Sequence, residues 1–273
     1  NYDCRFDNAQ FIEGSRNSYL FNSSIQEIDN ADAILIVGSN PRWEAAVLNS
    51  RIRKAYINNN CKIGLVGPKI ELTYKYEHLS NDLSYLNKIL NEETNFSKDL
   101  IDAKNPMIII GTSAINFDKG KDVLKTCAEI CKKFKFNNEK NNGFNVLQQN
   151  ISRVGALDLG FYSKIFDYDF TSSIKKHINK TKPVVFLLDL DEIDLSSLDE
   201  AFVVYIGHHG DKAANISDII LPSPAFPEKT STYVNTEGKT MQTTKCFNPI
   251  GDSKEEWKIF RALSEEFNQN LKF

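Results

Sequence analysis

No stretch of this 273-residue chain approaches the roughly 18 consecutive apolar residues that a membrane-spanning helix needs. The longest apolar runs, such as Pro183 to Leu188, are strand-sized. Basic residues are not in excess. Lys and Arg number 33 against 36 Asp and Glu, a net charge of -3, which excludes a general attraction to nucleic acid or to an anionic membrane surface. Cysteine is scarce, at five residues: Cys4, Cys61, Cys127, Cys131 and Cys246. Their odd number and wide spacing argue against a disulfide framework and favour a reducing compartment. No C-x₂-C pair exists, so no ferredoxin-type iron–sulfur site is expected. No G-x-G-x-x-G, Walker, G-x-S-x-G or H-E-x-x-H motif appears, and no Ser/His/Asp set stands out. The first residues, Asn1-Tyr2-Asp3-Cys4, carry neither a basic region nor an apolar one, so no secretory signal is expected.

What is present is a succession of short apolar runs rich in β-branched residues: Ala33 to Val37, Lys62 to Val66, Met107 to Ile110, Val184 to Leu188, Phe202 to Ile206 and Asp218 to Leu221. Most lack alternation, the pattern of strands buried on both faces. Helix-sized stretches separate them, so the chain reads as α/β with mostly parallel sheets. The clearest βαβ unit runs from Asp32. Gly38-Ser39 is its turn, Asn40 a helix cap and Pro41 the first helical residue. Ala45, Leu48, Ile52, Ala55 and Tyr56 then form one apolar stripe, with Arg51, Arg53 and Lys54 off it. Asp122 to Phe134 reads as a helix carrying Cys127 and Cys131 one turn apart, and residues 137–145 read as a loop. Residues 161–169 are rich in aromatics and Asp and give no clear element. Near the end, Ser253 and Glu256 have the spacing of a capping box. Trp257, Phe260, Leu263 and Phe267 then form a stripe expected to be buried. Clusters such as Asn58-Asn59-Asn60 reflect coding bias rather than function.

Three places have chemical potential. The turn Gly38-Ser39-Asn40-Pro41 offers free N–H groups to an anion, although its plainer reading is a well-capped structural helix. Cys127 and Cys131 share a helix face, where burial explains them better than metal ligation. His208-His209-Gly210-Asp211 follows a strand end, and adjacent His side chains diverge, so a polar loop is expected there rather than a zinc site.

The stretch Asp218-Ile-Ile-Leu-Pro-Ser, followed by Glu228-Lys-Thr-Ser-Thr-Tyr-Val-Asn-Thr-Glu-Gly-Lys239, resembles a signature shared by molybdopterin oxidoreductases and the related 75 kDa subunits of respiratory complex I. Ala31 to Arg42, Asn49 to Lys54, Gly207 to Asp211 and Trp257 to Glu265 resemble the complex I branch in particular, in the right order. So does Glu71-Leu72-Thr73-Tyr74, with Tyr76, His78 and Leu79. The chain departs from the signature at Lys239 and Ser217. Asp189-Leu190-Asp191 also stands where molybdenum enzymes place a Gly-containing turn. The resemblance implies two Rossmann-like lobes, with an N-terminal extension over 1–29, a first lobe over 30–150 and a second over 151–273. It implies a non-catalytic half-subunit of mitochondrial complex I, on the matrix side of the inner membrane, in the electron path from NADH to ubiquinone. The expected partners are the iron–sulfur half of the same subunit and other matrix-arm subunits, with the clusters on that partner and no cofactor or metal on this chain. A vestigial cofactor groove would be lined by His208, His209, Asp211, Asn235 and Glu237. The alternatives are an active molybdopterin-dependent oxidoreductase fragment and a free-standing nucleotide-binding protein.

Overall fold

The computed structural model describes residues 4, 8–137, 142–162, 182–190, 192–210, 212–269 and 271. It falls into two compact units. One comprises Asn1–Asp167 with Val234–Thr240, the other Tyr168–Tyr233 with Met241–Phe273.

The first unit is built on β1 (Ala33–Val37), every residue of which is buried. A short helix α1 (Pro41–Glu44) and a longer α2 (Ala46–Asn59) follow, separated by the non-helical Ala45. Asn60 ends α2 in the left-handed conformation that Asn tolerates, its N–H donating to the Ala55 carbonyl. Then come β2 (Lys62–Val66), β3 (Glu77–Ser80), α3 (Tyr85–Leu90), α4 (Asn95–Asp102), β4 (Pro106–Gly111), α5 (Gly120–Lys133), β5 (Phe144–Leu147) and α6 (Arg153–Asp158). The strands make one parallel sheet in the order β3-β2-β1-β4-β5. Asp32 fixes the register at its entrance, its carboxylate accepting the N–H groups of Lys104 and Asn105 at 2.8 and 2.9 Å just before β4.

Both faces of this sheet are covered, as continuous apolar strands require. On one side Leu35, Val37, Ile108 and Ile110 pack with Leu86, Phe96, Leu124, Cys127 and Ile130 from α3, α4 and α5. On the other, Ile34, Ile36, Ile63 and Ile109 pack with Leu48, Ile52 and Ala55 of α2. Each fully buried Leu or Ile stabilises the fold by roughly 1.5–3 kcal/mol in area terms.

The second unit has a parallel sheet of β6 (Val184–Leu188), β7 (Phe202–Gly207) and β8 (Ile219–Pro222), in that order. α7 (Lys212–Ile216) lies between β7 and β8 in sequence, and α8 (Glu256–Glu266) follows a hairpin of β9 (Thr232–Val234) and β10 (Thr240–Gln242). The core is Val185, Leu187, Leu198, Val203, Tyr205, Ala213 and neighbours.

The structure departs from five expectations. Residues 1–29 are not simply an appendage, because Phe21 and Ile28 are fully buried against the first sheet. The contact boundary lies after 167 rather than after 150, since Val154 and Leu157 of α6 pack with Tyr19 and Leu20. The capping box at Ser253 does not form. The Ser253 hydroxyl donates to the Ile250 carbonyl, Glu256 is held by Lys229, and α8 begins only at Glu256. The stripe of α8 is not buried either, for none of its residues is, and Phe267 just beyond it is exposed. The expected loop over 137–145 gives way to β5 at Phe144, and Asn145 is fully buried. Most of the 161–169 stretch lies outside the described residues.

Candidate functional site

Ligands of open parallel sheets sit beyond the carboxyl ends of the strands, at the point where the strand order reverses. In the first unit that point lies between β1 and β4. Gly38 follows β1 with φ +54°, and Gly111 ends β4. A Cβ on Gly38 would lie 2.5 Å from the Ala114 Cβ, and one on Gly111 only 2.3 Å from the Gly38 carbonyl oxygen. The Ser113 hydroxyl donates to that same carbonyl. These glycines therefore serve a close approach of chain to chain.

The neighbouring turn is occupied by the protein's own carboxylate. Glu44 Oε1 accepts the Asn40 N–H at 2.8 Å, and Oε2 accepts the Ser39 hydroxyl at 2.7 Å. Asn40 does not act as a side-chain cap. Its Oδ1 has no hydrogen-bond partner among the described residues. Two of the donors that a phosphate would seek at a helix start are thus engaged by Glu44.

In the second unit Asp189 follows β6 with φ +47° and donates its N–H to the Ile206 carbonyl at 2.9 Å. His208, just beyond β7, places Nδ1 3.0 Å from Asp189 Oδ1, and its ring meets that of His209 edge-on at 4.5 Å. The His208–Asp189 pair is about one-third exposed. Ser223 follows β8, donates its N–H to the Gly207 carbonyl at 3.0 Å and is buried. Among the described residues, no three His, Cys, Asp or Glu side chains stand together as a metal site. Asp211 lies outside the described residues.

Asn235 and Glu237 belong to the first unit, at the tip of the β9–β10 hairpin. Gly238, at φ +76°, closes the tip, and Asn235 exchanges backbone and side-chain hydrogen bonds with Lys239. Glu237 Oε1 accepts the Ile25 N–H at 2.7 Å, and Oε2 meets Lys239 Nζ at 2.8 Å. Burial pushes the Glu237 carboxyl up, but Lys239, the Ile25 N–H and Asn235 outweigh it and hold the group below its ordinary value. The Thr236 carbonyl accepts the Phe21 N–H at 2.8 Å. The Gly238 carbonyl accepts Arg16 Nη2 at 3.0 Å, and the same guanidinium forks onto both Asp158 oxygens at 2.8 Å. Tyr19 donates its hydroxyl to Asp158 Oδ1 at 2.8 Å. The polar atoms of Asn235 and Glu237 are thereby spent on fastening the tip. Nothing in the spacing of Arg16, Tyr19 and Asp158 announces their network. The Asn-Thr-Glu-Gly run did carry the signal of a tight hairpin turn.

Cys127 and Cys131 are buried on α5, and burial raises both thiols. Cys61 is likewise pushed up by burial, to about 12.

A family model described as molybdopterin oxidoreductase matches residues 1–266. The chain is 41% identical over 269 residues to the NADH-ubiquinone oxidoreductase 75 kDa subunit of Reclinomonas americana, covering 98% of this chain and 38% of that one. It is 42% identical over 262 residues to the mitochondrial NADH-ubiquinone oxidoreductase 78 kDa subunit of Neurospora crassa, covering 94% and 34%. The chain thus spans just over a third of the length of these relatives. Among solved structures, acetylene hydratase from Pelobacter acetylenicus is similar in fold, with a TM-score of 0.58 at 12% identity, covering 90% of this chain and 50% of that one.

Proposed function

The chain belongs to the molybdopterin oxidoreductase family, and from that premise we propose that it is a non-catalytic half-subunit of mitochondrial complex I. It supports the iron–sulfur half of the 75 kDa subunit in the peripheral arm, on the matrix side of the inner membrane, where electrons pass from NADH to ubiquinone. The clusters belong to that partner half. The observation that carries this reading is the 41% identity to a 75 kDa subunit over 98% of this chain. No helix among the described residues is long and apolar enough to cross a membrane, which accords with a peripheral position.

The family name implies a molybdopterin, whose phosphate-bearing end needs an open glycine approach or free N–H donors. The residues present at the β1–β4 edge do not fit it. Gly38 and Gly111 pack on Ala114 and on each other, and Glu44 would set a carboxylate against a phosphate. This favours the scaffold reading over an active molybdopterin enzyme or a nucleotide-binding protein.

The test is a native gel of mitochondrial membranes. This chain is expected to comigrate with complex I, and its depletion to lower NADH:quinone activity, while the isolated chain oxidises no NADH. Migration only as a free monomer, with complex I intact after depletion, refutes the assignment.

A further inference from the structure

Val184-Val185-Phe186-Leu187-Leu188 is apolar at every position, the composition of a strand covered on both faces. Only alternate residues are covered. Val185 and Leu187 lie in the core of the second unit, whereas Val184, Phe186 and Leu188, on the opposite face, are 58%, 41% and 45% exposed. The parallel register sets Phe186 beside Val204, which in turn pairs with Ile219, and Leu188 beside Ile206, which pairs with Leu221. Val204 and Ile206, in the middle of that face, are buried, while Ile219 at its far margin is 42% exposed. α8 provides part of the cover, with the Phe260 ring 5.9 Å from that of Phe186. Yet no residue of α8 is itself buried. Among the described residues β6 is an edge strand, paired with β7 alone.

We propose that β6 and the adjoining side of α8 form the seat for the polypeptide that corresponds to the part of the relatives this chain does not span. The proposal rests on the half-subunit reading and locates its contact. The relatives carry the greater part of their length beyond the aligned region, of which this chain matches 38% in one and 34% in another. Elements that cover a parallel sheet ordinarily come from the fold that contains it. The seat has the chemistry for such an element: an uncharged, partly exposed row of Val184, Phe186 and Leu188 on the edge strand of the described sheet. It takes an apolar helix stripe or a strand, not an acidic or basic peptide. A permanent contact of this kind buries above roughly 2,000 Å² in total, with its apolar centre here.

The test uses the full chain, tagged, in its own mitochondria. A double variant, Phe186→Asp with Leu188→Asp, is expected to lower the amount of tagged chain in the complex I band at least about tenfold, the effect of roughly 1.4 kcal/mol lost from the contact. Both side chains lie on the exposed face, so the variant should keep the circular dichroism of the parent. Should it fail to fold, a photo-crosslinker placed at position 186 in the otherwise native chain decides the matter. Capture of the polypeptide that corresponds to the remainder of the relatives supports the seat, and capture of any other complex I polypeptide overturns it. Capture of a second copy of this chain, or only of its own residues, overturns it. If the double variant remains in the complex at the parental level, the seat is wrong and the half-subunit reading stands. If the unaltered chain is absent from the complex, that reading falls first.

Discussion

Asp158 accepts three hydrogen bonds at once, two from Arg16 and one from Tyr19. The Arg16 guanidinium holds its carboxyl below the ordinary range, against the opposing effect of burial. Burial first, and then the hydrogen bond to Asp158, push the Tyr19 phenol up to about 12. A carboxylate with a depressed folded value stabilises the protein above its unfolded value near pH 4 and loses that contribution as pH falls through the folded value. Asp158→Asn should therefore cost about 1 kcal/mol at neutral pH, since Arg16 is half exposed. Urea denaturation at pH 7 and at pH 3 checks this: the gap between parent and variant should narrow at the lower pH. An equal gap at both would show that charge is not what Asp158 contributes. None of the three residues was legible as a cluster, because 139 positions separate Tyr19 from Asp158 and no local pattern links them. Glu44 was hidden for a different reason. A Glu four residues after a strand turn looks like any first-turn carboxylate until the break at Ala45 shows how short its helix is.

At the scale of elements, the parallel sheet of the first unit was readable because its strands are apolar on both faces, and only a doubly covered sheet satisfies that. α5 was readable for the converse reason, its buried residues recurring at helical spacing through Val123, Cys127, Ile130 and Cys131. α8 shows the limit. Trp257, Phe260 and Leu263 make a stripe in the sequence, but sequence records only that a stripe wants cover, not whether cover is present. Trp257 is 46% exposed, whereas Leu187 on the inner face of β6 is 1% exposed. Leu187→Ala should cost about 2–5 kcal/mol, and Trp257→Ala in the isolated chain about 1–2 kcal/mol, less than full burial implies. Guanidinium unfolding of the two variants, followed on the second unit by hydrogen exchange, makes the comparison. Equal losses would mean that α8 is docked more firmly than its exposure indicates. The signature around Asn235 and Glu237 was legible as a motif, but the partners of its side chains were not. A motif identifies residues without stating which atoms they meet, and here those atoms meet Ile25 and Lys239.

Across the whole molecule, the five cysteines divide by accessibility: Cys61, Cys127 and Cys131 are buried, Cys4 is half-buried and Cys246 is exposed. Burial raises the three buried thiols, which keeps them out of the reactive thiolate form. A thiol reagent at pH 8 should modify Cys246 at once and the three buried residues only on opening of the first unit, so that their rate follows added denaturant. Prompt labelling of Cys127 or Cys131 in native buffer, read by mass spectrometry, would contradict the packing of α5.

The hairpin tip sets a timetable for synthesis. Glu237 meets the Ile25 N–H across 212 positions of the chain, so a ribosome adding roughly 5–20 residues per second leaves that amide waiting about 10–40 s for its acceptor. Through that interval Phe21 lacks the Thr236 carbonyl and Arg16 lacks the Gly238 carbonyl. The first unit is thus the earlier to begin and cannot be finished until most of the second has been made. A nascent chain halted before residue 234 should bind chaperones through the segment around Arg16 to Ile25, and one released after residue 240 should not.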